Sequence, residues 1–232
     1  MDVVNVASPK ETRLNFHLDR LQKRIAGKLR QGFYSEFNGY GFRRDLGEKF
    51  KMPDAKIPIA VRRMNAEEID IVLPPQGGNT QEETQEIVWR RHFYRKAPQN
   101  CCFAAIDLRD NAPCFIQWLI GPEHNGHLAR FKCYPRLKDD EAMVEQSYTM
   151  PAYRGLGILA AAMARIAEQA SGLGARHVMG FLGEDNTTGM KALRKAGFHP
   201  YLSHRRTQIG YGSLVFNSFK VIDAATAARI IS

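Results

Sequence analysis

Residues Thr149 to Ala164 read TMPAYRGLGILAAAMA, an order of residue types suited to holding an anion. Gly155 and Gly157 let the backbone turn tightly with its N–H groups facing inward. A helix opening near Ile158 adds unpaired amides and the positive end of its dipole. The chemistry this implies is phosphate binding. The helix follows from periodicity: Ile158, Leu159, Ala162, Met163, Ile166, Ala167 and Ala170 form one apolar stripe, with Arg165, Glu168 and Gln169 off it. Gly172 and Gly174 supply the stop.

Other elements must position this turn. Residues 142–149 alternate as the strand feeding it, and 177–182 read as a short buried strand. Residues 187–196 form a second helix, and 197–203 and 208–215 further strands. Upstream, 57–64 reads as a strand. Asn65 with Glu68 three residues on is a capping-box signal for a helix from Ala66 to about Val72. Residues 81–95 space Ile87, Val88, His92 and Phe93 as a helix face. Two apolar runs, 101–108 and 113–120, flank an Arg-Asp-Asn-Ala turn and predict a hairpin. A third strand is expected over 128–134. The order of elements predicts a mixed α/β sheet.

The chain has 232 residues and a net charge of +9. Residues 1–63 hold 14 Lys or Arg and 7 Asp or Glu, so the excess lies in the first quarter. A basic surface favours anionic partners or serves solubility. Within it, Leu14, Leu18, Leu21, Ile25 and Leu29 lie between basic residues as an amphipathic helix over 12–31. Residues 32–56 read as an irregular linker or lid, with Gly39 and Gly41 as breaks. The domain reading is therefore a basic helical extension or lid over 1–56 and a main domain over 57–232. Cys101, Cys102, Cys114 and Cys133 show no metal-ligand spacing and are expected reduced and mostly buried. No metal site is expected. No signal-peptide pattern or membrane span is visible, and the expected location is cytoplasmic.

Twenty-nine residues after Gly157 comes NTTGMKALRKAGF, Asn186 to Phe198. Together with the Arg154-Gly155-x-Gly157 turn, this resembles the GNAT (N-acetyltransferase) superfamily over about residues 57–217. In that family an R/Q-x-x-G-x-G/A turn holds the pyrophosphate of acetyl-coenzyme A, and an N-x-x-A/S-x-x-L-Y-x-K-x-G-F helix lies beside the pantetheine arm. The resemblance implies a central, mostly antiparallel sheet whose splayed central strands open a cleft, flanked by helices. It implies acetyl-coenzyme A or another acyl-coenzyme A as co-substrate. Arg154, Gly155, Leu156, Gly157, Ile158 and Leu159 would line the pyrophosphate, Thr149 would hydrogen-bond the pantetheine amides, and Asn186 would contact the arm. Two positions depart from the pattern. Leu159 stands where Gly or Ala is usual, which leaves room for a donor such as an acyl carrier protein. Leu193 occupies the position of the tyrosine that protonates the departing thiolate.

Gly155, Gly157 and Ala160 also satisfy a dinucleotide-binding G-x-G-x-x-A pattern. That reading fits poorly, because Pro151 to Arg154 separate the strand from the glycines and the acidic residue Glu184 comes late.

An amine nucleophile is protonated at neutral pH, so a base is expected in the cleft. Glu145 is the first choice, read as sharing a face with Ser147 and Thr149, or else as a sheet-edge residue. Tyr148 would face the other way and pack. Tyr201 and Tyr211 are candidate replacements for the missing acid, or core aromatics. Glu184 and Asp185 are read as helix caps ahead of substrate binding, His124 and His127 as loop residues near an acceptor, and His204 to Arg206 as a hairpin turn.

The leading expectation is an acyl-coenzyme A-dependent N-acyltransferase acting on a primary amine, a small molecule or an amino acid. Alternatives are an acyl-carrier-protein-dependent N-acyl amino acid synthase and a non-catalytic or transfer-RNA-associated module of the same fold. Basic residues there are interleaved with Leu and Ile and not with stacking aromatics, which weakens the nucleic-acid reading.

Overall fold

Apolar runs set between turn residues pair into a single eight-stranded sheet in the computed structural model, which describes residues 32–211 and 213–231. The strands are β1 (Tyr34–Asp45), β2 (Ile59–Arg63), β3 (Cys102–Asp107), β4 (Ala112–Ile120), β5 (Glu141–Thr149), β6 (His177–Gly183), β7 (His199–Ile209) and β8 (Leu214–Val221). Their order is β2-β3-β4-β5-β6-β1-β7-β8. β2 with β3, β3 with β4, β4 with β5 and β1 with β6 are antiparallel, and β5 with β6 is parallel. The helices are α1 (Ala66–Val72), α2 (Gln81–Tyr94), the single turn α3 (Asn125–Leu128), α4 (Ile158–Glu168), α5 (Thr187–Lys195) and α6 (Ala224–Ile231). The expected basic helix over 12–31 lies outside the described residues.

The described chain divides into two compact units, one of residues 38–204 with 219–231 and one of 32–37 with 205–218. In the smaller, the Gly210 amide donates to the Phe33 carbonyl at 2.8 Å, and Arg205 pairs with Glu36. Phe33 and Tyr211 pack edge to face.

In the larger unit, strand alternation sorts side chains onto two faces. Phe103, Ala105, Phe115 and Leu119 point into one apolar cluster with Ile158, Ala162 and Ile166 of α4. Cys102, Ala104, Ile116, Trp118 and Ile120 point into another with Ile69 of α1 and Ile87 and Phe93 of α2. The capping box at α1 is present: Asn65 Oδ1 accepts from the Glu68 amide, and Glu68 accepts from the Asn65 amide. All four cysteines are thiols, three of them buried.

Three readings of the sequence are corrected. Residues 34–45, expected irregular, form β1, whose residues Gly39–Asp45 pair with β6. Gly41 is not a break: a Cβ there would lie 2.8 Å from the Phe181 ring, so the glycine permits close packing of neighbouring strands. Residues 128–134 are not a strand, since α3 is followed by a 3-10 turn over Ala129–Phe131 that ends at Lys132 with φ of 53°. His204 to Arg206 lie inside β7 and not at a turn. The C-terminal helix α6 is an element that the sequence reading did not include.

β1 is fastened through Arg44, which is 2% exposed. Its guanidinium donates to the Ala164 and Ala196 carbonyls, both at 3.2 Å, and pairs with Glu168. It also lies over the Phe50 ring. Arg44 thus ties the strand to both α4 and the end of α5. Arg44→Met is expected to lower stability by about 2–4 kcal/mol, since charged hydrogen bonds to buried carbonyls are lost. Arg62→Met removes an exposed pair with Glu68 and an exposed hydrogen bond to the Arg63 carbonyl, and should cost no more than about 0.5 kcal/mol. Urea unfolding of both variants measures the difference, and equal losses would contradict this role for Arg44.

Candidate active site

The parallel ladder between β5 and β6 is short. Glu141 pairs with His177, Ala142 with Val178 and Met143 with Met179, and no pair follows. β4 continues to hold β5 as far as Phe115 opposite Thr149, with a register shift between Ile116 and Trp118. The shift is taken up by Gln146, whose φ of 58° is left-handed. This is a β-bulge, and it bends the strand away from its former neighbour.

The bulge also resets which side chains share a face. Met143 and Tyr148 lie in the same apolar cluster although they are five residues apart. Glu145 therefore does not share a face with Ser147 and Thr149, as unbroken alternation predicts. Tyr148 packs as expected, but on the side of Met143, beneath the Arg90 guanidinium. Ser147 Oγ accepts from Gln117 Nε2 at 2.7 Å.

Glu145 is 9% exposed and sits on the α1 and α2 side. Burial pushes its carboxyl up to about 8, against the lowering effect of hydrogen bonds from the Tyr134 hydroxyl and the Gln146 and Phe181 amides. Phe181 belongs to β6, so this carboxyl reaches across the opening between the strands. Its Oε1 has no hydrogen-bond partner among the described residues, and the same holds for Trp118 Nε1, Gln117 Oε1 and Gln146 Oε1. Buried polar atoms are normally satisfied. These four groups lie on β4 and β5 close to the bulge, Trp118 on the side of Glu145 and Gln117 on the side of Ser147. Phe131, Tyr134 and Phe181 form a run of rings on this side, with Phe131 and Tyr134 centroids 5.8 Å apart and Tyr134 and Phe181 6.2 Å apart.

The glycine turn follows β5. A 3-10 turn over Pro151–Tyr153 leads to Gly155 with φ of 79° and Gly157 with φ of 75°, both left-handed. Gly157 caps α4 with no side-chain hydrogen bond, which leaves the first amides of that helix to other partners. Among the described residues, nothing beyond its chain neighbours lies within 4 Å of the position a Cβ would take at Gly155, so the turn is open there. The turn is braced from behind. The Lys56 amide donates to the Leu156 carbonyl at 2.9 Å, and the Asp54 carbonyl lies 3.4 Å from where a Cβ of Gly157 would be. Leu156 and Leu159 are half-buried and pack against the α4 cluster. Ile158 is buried in it. Arg154 donates to the Thr149 carbonyl at 3.3 Å and pairs with Glu86 of α2 at 2.7 Å.

Other expected site residues have structural engagements. Asn186 caps α5 by accepting from the Gly189 amide at 2.8 Å, so the cap is Asn186 and neither Glu184 nor Asp185, both of which are exposed. Leu193 is 1% exposed and packs close to Gly180 in the core. The Tyr201 hydroxyl meets the Met179 sulfur, and its ring lies near Arg43. Tyr211 sits at a turn of the smaller unit with φ of 57°. His124 and His127 are edge to face in the α3 region, with His124 3.4 Å from Glu123. Tyr134, the partner of Glu145, was not singled out by the sequence, which placed it at the end of an expected strand over 128–134 that does not form. Among the described residues no group of His, Cys, Asp or Glu is arranged to hold a metal ion, and no helix is long and apolar enough to cross a membrane.

A mixed sheet with a short parallel pair, a strand bulge and a glycine turn at a helix N-terminus fits the acetyltransferase class of fold. The family model for the acetyltransferase (GNAT) family matches residues 79–198, more than half of the chain, and the chain belongs to that family. Among solved structures it is similar to an acetyltransferase of the GNAT family from Colwellia psychrerythraea, with 14% identity over 81% of this chain and 57% of that one, and a TM-score of 0.47. A GCN5-related N-acetyltransferase from Sphaerobacter thermophilus gives 14% identity, 77% and 54% coverage, and a TM-score of 0.43. A GCN5-related glucosamine N-acetyltransferase region of a fungal multi-domain GH3 beta-N-acetylglucosaminidase gives 13% identity, 79% and 22% coverage, and a TM-score of 0.50. At such identities the likeness is one of fold. The chain spans little more than half the length of the first two. A comparison with curated proteins gives no match.

The raised carboxyl has a consequence for stability. The folded protein keeps the Glu145 proton up to about pH 8, whereas an unfolded chain releases it near 4.5. Stability from this group is full below pH 4.5 and is lost as pH rises to about 8. Glu145→Gln removes that dependence. Across pH 5 to 9, the wild type is expected to lose stability relative to the variant up to about pH 8 and then level off. Parallel curves from chemical denaturation would show that the carboxyl titrates normally.

Proposed function

We propose that this chain is an acyl-coenzyme A-dependent N-acyltransferase that passes its acyl group directly to a primary amine. The observation that carries the reading is the buried carboxyl of Glu145 bridging the parted strands, one bulge away from a glycine turn open at Gly155. The open turn and the first amides of α4 suit the phosphates of the co-substrate, and the gap between β5 and β6 suits its thioester arm. Arg154 would exchange Glu86 for phosphate oxygens, a pairing of guanidinium with anion in either state.

The chemistry assigned to the residues is brief. The Glu145 carboxylate accepts a proton from the substrate ammonium. The freed amine attacks the thioester carbonyl, collapse of the adduct breaks the carbon–sulfur bond and releases the thiolate, and the second proton of the nitrogen passes to solvent. A base whose carboxyl titrates near 8 is matched to this task, because the free-energy cost of taking the proton is small near neutral pH. Tyr134 and the Gln146 and Phe181 amides hold the carboxyl in place. Leu193 has no proton to donate, and the thiolate is a good enough leaving group to depart as the anion. Leu159 packs with the core and so offers no argument for a carrier-protein donor over coenzyme A.

Calorimetric titration with acetyl-coenzyme A and with longer acyl thioesters should show saturable binding, weakened about tenfold or more in Arg154→Ala, which loses a charged hydrogen bond to phosphate. Absence of binding by every thioester overturns the proposal. With an accepted amine, the rate is expected to rise with pH to a plateau above about 8, and Glu145→Gln should lower kcat by about 100-fold or more. An unchanged profile in that variant would remove Glu145 from the role of base.

A further inference from the structure

A second concave site lies on the larger unit, away from the glycine turn. It is a groove of about 490 Å³ at the start of β5 and β6. Its floor is apolar, with Met179, Leu202 and Pro200, and its walls carry Arg43, Arg136 and Lys138. Arg43 and Arg136 are exposed residues that come from β1 and from the segment before β5, elements distant in sequence. Two carboxylates also line the groove, and both are already engaged. Glu141 accepts from the Lys138 amide at 2.9 Å and lies 3.8 Å from Lys138 Nζ. Asp223 accepts from the Thr226 amide at 2.7 Å at the head of α6. Among the described residues, the two guanidinium groups have no carboxylate partner of this kind within the groove. Arg43 is instead held over the Tyr201 ring, 5.1 Å from its centroid. A cation resting on an aromatic face keeps its outward N–H groups for another acceptor.

We propose that this groove binds a carboxylate or phosphate group carried on an apolar body, with Arg43 and Arg136 pairing the anion and the Met179 and Leu202 side chains covering the apolar part. The volume is that of a small-molecule site, and the mixture of an apolar floor with a few converging charged groups is the usual make-up of one. The anion has two possible sources: a distal acidic group on the acyl acceptor, or a separate small acid that regulates the enzyme. Position favours neither. Glu141 and Glu145 face the same side of β5 and are four residues apart, about 13 Å of strand. That span is within reach of an extended acceptor and equally long enough to separate two ligands.

The test reads binding at the groove and does not require transfer activity, so it stands apart from the assignment of the catalytic reaction. Full-length protein carrying 13C-methyl methionine is titrated with phenyl phosphate and phenylacetate, and with benzyl alcohol as the neutral control. The expected result is a saturable shift of the Met179 methyl with both acids and not with the alcohol. It should weaken tenfold or more in Arg136→Gln, whose exposed side chain makes folding insensitive to the change. Arg43→Gln, checked for retained folding by the remaining methyl signals, should act in the same direction. No saturable shift of Met179, equal response to the alcohol, or undiminished binding in both variants overturns the proposal. Once binding is found, acyl transfer to a simple uncharged amine distinguishes the sources. Slowing or stimulation by phenyl phosphate identifies a regulatory site, and no effect, with faster transfer to acid-bearing amines, identifies an acceptor subsite.

Discussion

The early end of the β5–β6 ladder after Met143 and Met179 is the constraint on which the rest of the site depends. Two strands that stop pairing expose backbone groups that a continuous sheet would satisfy, and such an opening persists only if each strand is held firmly on its other side. β4 does this for β5, through a register that absorbs the bulge at Gln146. β1 does it for β6, along seven consecutive pairs from Gly39 to Asp45. The opening is therefore the product of four strands, and Glu145 can reach the Phe181 amide only because both inner strands are anchored from outside.

Much of this architecture is legible in the sequence where local signals and tertiary demands agree. The stripe of Ile158, Ala162 and Ile166 is both helical in spacing and buried against the sheet, and Asn65 with Glu68 forms a capping box whose geometry is local. Glycines at 155 and 157 take the left-handed conformations that their position before a helix suggests. Glu145 was identifiable as a carboxylate on a strand that is otherwise apolar or neutral. The depth of its burial was not, since that depends on Tyr134 and Phe181 from distant segments.

The failures have equally specific causes. Gly39 and Gly41 resemble loop punctuation, yet at Gly41 the missing Cβ serves the close approach of the Phe181 ring. A glycine required by a neighbour cannot be told from a glycine required by a turn until the neighbour is known. Gln146 carries no sequence mark of left-handed backbone, so the parity of Ser147 and Thr149 relative to Glu145 was misread. Asn186 stands at a family position and caps its own helix, while Leu193, which departs from the family tyrosine, packs in the core.

The pairing of β1 with β6 also bears on how the protein can be divided. The family match spans residues 79–198 and excludes β1, β2, α1, β7, β8, α6 and the brace from Asp54 to Lys56. A polypeptide trimmed to those limits would present β6 with a row of unpaired amides and carbonyls, and its glycine turn would lose the Lys56 amide that supports Leu156. Open strand edges invite pairing with other chains. Boundaries drawn from sequence kinship would therefore yield material prone to self-association, and the functional unit of this fold is larger than its most recognisable part.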